Sequence, residues 1–160
     1  ATDWMKRVAS KLEHGFVITL DYGYPAVELY APYRRNGSLM CYARHSANDN
    51  PYQNVGEQDI TAHVDFTLLQ QSGENAGLET MYFGEQYRFL MGLGFVEDLM
   101  HLQAQKADPD EAMALRMTLK NLILPDSGMG DTFKVLIQGR GVGNPELLCC
   151  RSVADIAAQF

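Results

Sequence analysis

Three carboxylates stand where an α/β protein could use them: Asp21 directly after the apolar run Phe16–Leu20, and Asp59 and Asp65 at the two ends of an alternating segment. In open α/β sheets ligands bind beyond the carboxyl ends of the strands, so Asp21-Tyr22-Gly23 is placed to face one. A local role stands beside this on level terms, with Asp21 bonding its own turn and Gly23 supplying a positive φ. Asp59, Thr61, His63 and Asp65 are spaced by two, which puts them on one side of an extended chain. Together with His45 they offer the ligand types of a divalent metal site. The local account of that segment is the stronger one. Asp65 caps a helix, Asp59 makes a turn, His63 is a half-buried imidazole, and no His-x-x-x-His pair marks a metal site.

Other chemistry-bearing patterns carry less. Gly139-Arg140-Gly141-Val142-Gly143 resembles a glycine-rich nucleotide loop, but such a loop opens a helix and needs an acidic residue about 20 positions on. Here Asn144-Pro145 follows and the sequence stops at Phe160, so the run is expected to be an exit from a strand. There is no Gly-x-Ser-x-Gly elbow. Cys41, Cys149 and Cys150 lack metal-type spacing and are expected as reduced thiols. The methionines at 113, 117 and 129 are expected to pack.

The elements that must position these residues can be read from periodicity. Trp4, Val8 and Leu12, joined by Met5, predict a helix over 3–14, capped by Thr2 or Asp3 and stopped by Gly15. Phe16–Leu20 reads as a strand buried on both faces of a parallel sheet. Helix, turn and buried strand make the rhythm of an α/β layer fold. From Tyr24 to Gln58 periodicity is lost. This excursion is expected to fold irregularly over the end of the sheet, anchored by Tyr24, Tyr30, Tyr33, Tyr42 and Tyr52. Asp65 should cap a short helix that ends at Ser72-Gly73. Leu78–Phe83 is the next strand, followed by helices over 86–93, closed by Gly94, and 95–105. Asp108, Pro109 and Glu111 form a capping-box start for a helix with Ala112, Leu115, Leu119, Leu122 and Ile123 on one face, ended by Pro125. Phe133–Gln138 alternates as a strand with one better-covered face, and Ser152 could cap a last short helix.

Composition bounds the function. At 160 residues with 46% apolar content, the default is one soluble domain. Thirteen basic against twenty acidic residues leave a net charge of −7, which argues against nucleic acid as partner, and Arg34-Arg35 is too small a basic patch to reverse this. No apolar run is long enough for a membrane span, and no signal peptide opens the sequence. The expected location is cytoplasmic.

Three blocks taken together add a resemblance: Gly15–Gly23, Tyr42-Ala43-Arg44-His45, and Gly56–Phe66. They are similar to the MidA-like S-adenosylmethionine-dependent methyltransferases, relatives of mitochondrial complex I assembly factors. Gln86, Phe89-Leu90 with Leu93-Gly94, and Met129-Gly130 before Phe133–Leu136 resemble later blocks of that family in the same order, so the similarity runs to about Arg140. The block from Asp59 to Phe66 is the specific one.

The resemblance implies the C-terminal part of a Rossmann-like class I methyltransferase fold with an inserted loop and helices. Phe16–Leu20 would be its fifth strand, Leu78–Phe83 its sixth and Phe133–Gln138 its antiparallel seventh. Residues 1–160 would then be a single partial domain. The family's glycine-rich adenosyl loop and acidic ribose ligand are expected before Ala1, so S-adenosylmethionine would serve the full-length protein and not bind to this chain alone. The implied reaction is methyl transfer to a protein arginine, and the implied location of a eukaryotic member is the mitochondrial matrix. Asp21, Asp59 and Asp65 are the candidate catalytic carboxylates, since a guanidinium must be oriented and must lose a proton as transfer proceeds. Tyr22, Gly23, Tyr24, His45, Thr61 and His63 are the candidate substrate-binding residues, the tyrosines as aromatic walls for a cation.

Two other function classes compete: a noncatalytic module holding a partner protein through the tyrosine-rich excursion, and a metal-dependent hydrolase built on His45, Asp59, His63 and Asp65. A sheet cut at its inner edge is also expected to self-associate, because unpaired strand edges invite pairing.

Overall fold

Met5 and Ala9 are wholly buried on helix α1 (Thr2–Lys11), and Ala9 is small enough to let the helix approach its neighbours closely. The buried face is rotated from the Trp4-Val8-Leu12 stripe. Trp4 stays about half exposed and lies with Val8, Leu12 and Phe16 along a surface groove. Thr2 and Asp3 lie inside the first turn, and no side chain caps the helix. A computed structural model describes residues 1–44, 46–106, 108–125 and 128–151. Ser152 and His45 fall outside the described residues.

Strand β1 (Gly15–Tyr24) contains the expected run Phe16–Leu20, begins one residue earlier and extends to Tyr24. After it come a short helix α2 (Ala26–Leu29), a 3₁₀ turn at Pro32–Arg34, and a small antiparallel sheet of β2 (Met40–Ala43), β3 (Ser46–Asn48) and β4 (Asp59–Thr61), in the order β3-β2-β4. The excursion is therefore not irregular. Of the expected tyrosine anchors, Tyr24 is partly buried and Tyr30, Tyr33, Tyr42 and Tyr52 are exposed, while Leu29 and Cys41 are the buried residues of the excursion. Two-residue alternation in so short a ribbon is masked by turn residues, which is why periodicity failed there.

The chain then rejoins the main sheet through β5 (Val64–Asp65), helix α3 (Phe66–Asn75) and β6 (Glu79–Glu85). Helices α4 (Gln86–Leu93), α5 (Phe95–Ala104) and α6 (Pro109–Lys120) precede the last strand, β7 (Phe133–Arg140). Helix α3 continues past Ser72-Gly73 because the glycine is needed for contact, not for a stop. A Cβ at Gly73 would stand 2.2 Å from the Gln138 side chain. Asp108 caps α6 as expected, accepting from the Asp110 amide at 2.9 Å. The capping box is not closed, because Glu111 turns to Lys106 at 3.2 Å. None of α6 is buried.

The main sheet has the order β5-β1-β7-β6, with β7 antiparallel to both β1 and β6. The sheet is therefore mixed, and β1 has a parallel partner over only Gly23 and Tyr24. On one face α1 and α3 cover a core of Met5, Ala9, Phe66, Leu69, Leu78 and Leu136. On the other, Cys149 and α4 cover Val135 and Ile137. Strand β7 is thus covered on both faces, beyond the single covered face its alternation suggested. Strand β1 departs the other way: Phe16, Ile18 and Leu20 on its second face are 41%, 61% and 48% exposed. Among the described residues no strand pairs with its outer edge before Gly23.

The run 139–143 is a strand exit, as expected, with Arg140 as its working residue. The guanidinium donates to the carbonyls of Ala9 (2.8 Å), Leu12 (3.2 Å), Gly77 (3.3 Å) and Ala76. Those carbonyls belong to the C-terminal ends of α1 and α3, where intrahelical donors run out and positive charge is favoured. Cys41, Cys149 and Cys150 are free thiols, as expected. No helix among the described residues is long and apolar enough to cross a membrane.

Two outcomes follow. Arg140→Met should lower the unfolding free energy by about 2–4 kcal/mol in urea titrations, because it strips charged donors from several partly buried carbonyls, while Arg7→Met, at an exposed position, should change it little. The open edge and apolar row of β1 should make the chain associate in sedimentation experiments as concentration rises, and Ile18→Lys should suppress this.

A candidate acceptor site at the carboxyl end of the first strand

Gly23 fixes the geometry of this end of the sheet. It does not take a positive φ. Instead a Cβ there would lie 2.2 Å from the Val64 carbonyl oxygen, so glycine is required for β5 to pair at all. The pairing Gly23↔Val64 and Tyr24↔Asp65 in turn sets His63 beside β1.

The result is an aromatic and cationic cluster. The His63 ring lies edge-on to Tyr22 at 5.7 Å and tilted against Tyr24 at 5.0 Å. Tyr22 also meets Phe133, its partner across the β1–β7 ladder, edge-on at 5.8 Å. The Arg34 guanidinium sits 4.0 Å from the centre of the Tyr24 ring and 5.5 Å from that of Tyr33. The Lys134 ammonium is 5.6 Å from the Tyr24 ring. Such contacts contribute on the order of 1 kcal/mol each when partly desolvated.

Burial lowers the pKa of His63 below its ordinary 6.5, and the positive charge of Arg34 acts in the same direction, against the effect of the Ser38 backbone, which favours the protonated ring. Its backbone N–H donates to Ser38 Oγ at 3.1 Å. Arg34 reaches Glu28 only at 3.8 Å. A cavity of about 480 Å³ adjoins the cluster, with Tyr30, Arg34, Arg35, Ser38 and His63 in its wall.

The sequence-predicted residues divide. Tyr22, Gly23, Tyr24 and His63 come together. Asp21 stays at the strand end, opposite Lys134 in the ladder, and its carboxylate accepts from the Tyr22 amide at 2.8 Å. Asp65 caps α3, accepting from the Leu68 amide at 2.9 Å. It also holds the Tyr30 hydroxyl in its protonated form, by hydrogen bond first and charge second.

The expectation that Asp59, Thr61, His63 and Asp65 share one side of a single extended run is corrected. The run breaks at Ala62-His63: Asp59 and Thr61 belong to the small sheet, Asp65 to the main one. Asp59 is exposed opposite Tyr42, and the Thr61 hydroxyl donates to the Met40 carbonyl at 3.1 Å, holding β4 to β2. His45 lies outside the described residues. Among the described residues no three His, Cys, Asp or Glu side chains are gathered as a metal site. Arg34, Ser38, Phe133 and Lys134 are members that the sequence did not mark. Only the Pro32-Tyr33-Arg34 turn carried a local signal, and the other three depend on register.

The comparisons with known proteins bear on this arrangement. Residues 1–84 match the model of a family described as "Putative S-adenosyl-L-methionine-dependent methyltransferase". The chain belongs to this family. A COG1565 superfamily member from Burkholderia thailandensis, solved with S-adenosyl-homocysteine bound, is 32% identical over 92% of the chain, with a TM-score of 0.83. A native structure of a protein of that superfamily from the same organism is 31% identical over 95% of the chain, also at 0.83. The chain spans 37% and 39% of those two structures. No curated protein matches. The fold is thereby that of the Rossmann-like methyltransferases, and β7 is antiparallel as expected of the seventh strand.

Protonating His63 works against its burial, which gives a pH prediction. The stability its neutral form contributes is fully present above the unfolded pKa of 6.5 and is lost as pH falls from there through the lowered folded value. Urea midpoints should drop over that window, and His63→Gln should flatten the drop. Titration of the ring by NMR should place its midpoint below 6.5.

Proposed function

We propose that this chain forms the acceptor-facing part of a MidA-like S-adenosylmethionine-dependent methyltransferase whose acceptor is a protein arginine. The observation that carries it is the cluster at the carboxyl end of β1, where the rings of Tyr22, Tyr24 and His63 meet beside a strand that carries Asp21 and a neighbouring strand that carries Asp65. Tyr22 is the tyrosine of this cluster on which no described cation is stacked, so its ring is open to attract a guanidinium, and a carboxylate orients that group and receives its proton as the nitrogen takes the methyl group. Asp21 is the better-placed carboxylate, because one local amide engages it, whereas Asp65 holds a helix cap and a tyrosine hydroxyl. Asp59, on the exposed ribbon, is left a role in contacting the acceptor protein. Exposed Tyr30, Tyr33 and Tyr52 on the same excursion suit an acceptor of protein size.

The donor side does not fit the described residues. The glycine run at 139–143 leaves β7 and opens no helix, so it offers no row of free amides to an adenosyl group. S-adenosylmethionine supplies the methyl group in this family, and we assign its binding to the portion of the relatives that this chain does not span, which makes residues 1–160 a partial domain. The open edge of β1 and its apolar row support that assignment.

Calorimetry of this chain with S-adenosylmethionine should show no saturable binding, and saturable micromolar binding would overturn the partial-domain assignment. In a protein that carries the remaining segments, Asp21→Asn should lower transfer of labelled methyl to an arginine-containing acceptor by about a hundredfold, a common size for loss of a group that handles a proton. Unchanged transfer would sink the role given to Asp21.

A further inference from the structure

Two polar atoms buried without a hydrogen-bond partner, Arg34 Nε and His63 Nδ1, belong to residues lining the same cavity of about 480 Å³. Ser38 lines it too, and because its oxygen accepts from the His63 amide, its hydroxyl hydrogen is free to donate elsewhere. Arg35 adds a second guanidinium to the wall, held by the Pro32 carbonyl at 3.2 Å, and Lys134 lies beyond the Tyr24 ring. The nearby carboxylates do not neutralise this group. Glu28 approaches a terminal nitrogen of Arg34 at 3.8 Å and leaves Nε unpaired, and Asp65 is engaged by the Leu68 amide and Tyr30. Leu29, Ala31 and Pro32 give the remaining wall an apolar character suited to a short aliphatic stem.

Donors without acceptors, excess positive charge and an apolar collar describe the complement of a carboxylate side chain. A guanidinium presents Nε and one terminal nitrogen as a fork that matches the two carboxylate oxygens. A second guanidinium brought into this cavity would meet two others. The cavity therefore does not suit the methylated residue itself; it suits a neighbour of that residue.

We propose that the cavity is a carboxylate subsite that takes an acidic side chain of the acceptor protein, with Ser38 Oγ donating to its oxygens and the Arg34 and His63 side chains turning Nε, and Nδ1 in the tautomer that carries its proton there, out to meet them. That the carboxylate comes from a methyl acceptor rests on the proposed function; that the cavity binds a carboxylate does not.

The test is NMR titration of the chain with acetyl-Gly-Glu-Gly-amide, following the His63 ring and the Ser38 amide. The expected result is saturable shifts at both, with the Gln analogue and acetate each binding about tenfold more weakly, the size of losing one charge-assisted contact or the packed stem. Arg34→Lys, which keeps the charge but removes Nε, and Ser38→Ala should each weaken the Glu peptide by about fivefold or more. Absent shifts, an equal response to the Gln analogue, or unchanged affinity in both variants overturns the subsite. Acetate binding as tightly as the peptide overturns recognition of a side chain. If the Glu peptide binds as expected but the full protein methylates acceptors with and without the acidic neighbour equally, the carboxylate site stands and its assignment to the methyl acceptor is overturned.

Discussion

The antiparallel ladder between β1 and β7 is the constraint on which the rest depends. It pairs Gly15 with Arg140 at one end and Tyr22 with Phe133 at the other, so a single register sets two distant features. At the Gly15 end it delivers Arg140 to the C-terminal carbonyls of α1 and α3, tying both helices to one face of the sheet. At the Tyr22 end it delivers Phe133 and Lys134 to the aromatic cluster. A slip of one residue would send Val135 and Ile137 to the face of α1 and α3 and carry Leu136 away from it.

This ladder joins residues more than a hundred positions apart, and all the intervening elements hang from it. The excursion after Tyr24 is held at one point by Leu29 and Cys41 and at another by β5, whose two-residue pairing depends on the missing Cβ of Gly23. Arg34 reaches Tyr24 from the excursion, and His63 reaches it from the return. The site is thus a place where two segments with little secondary structure of their own meet a rigid strand end, a common division of labour between scaffold and functional loop.

The charge pattern of the site is mixed in a way that bears on its chemistry. Carboxylates lie at the strand ends, with Lys134 of β7 opposite Asp21, while Arg34 and Arg35 lie on the excursion. Cations stacked on Tyr24 and a half-buried imidazole with lowered basicity make that side poor ground for a second positive group. Under the proposed function, an acceptor that presents a guanidinium to one side and a carboxylate to the other meets both halves.

Local signals in the sequence were enough for α1, β1, β6, α4, α5 and β7 in order, for the caps at Asp65 and Asp108, and for placing Asp21-Tyr22-Gly23 at the carboxyl end of a main strand. Each rests on a period, a cap or a turn that a short stretch of chain enforces by itself. They could not show that the exposed stripe of β1 is Phe16, Ile18 and Leu20, nor that α1 buries Met5 and Ala9 in place of Trp4, because burial is decided by what lies opposite. They also could not break the run from Asp59 to Asp65 between two sheets, or bring Arg34 onto Tyr24 and Lys134 near it. Those arrangements belong to register and to a close approach at Gly23, quantities that exist only once distant strands have paired.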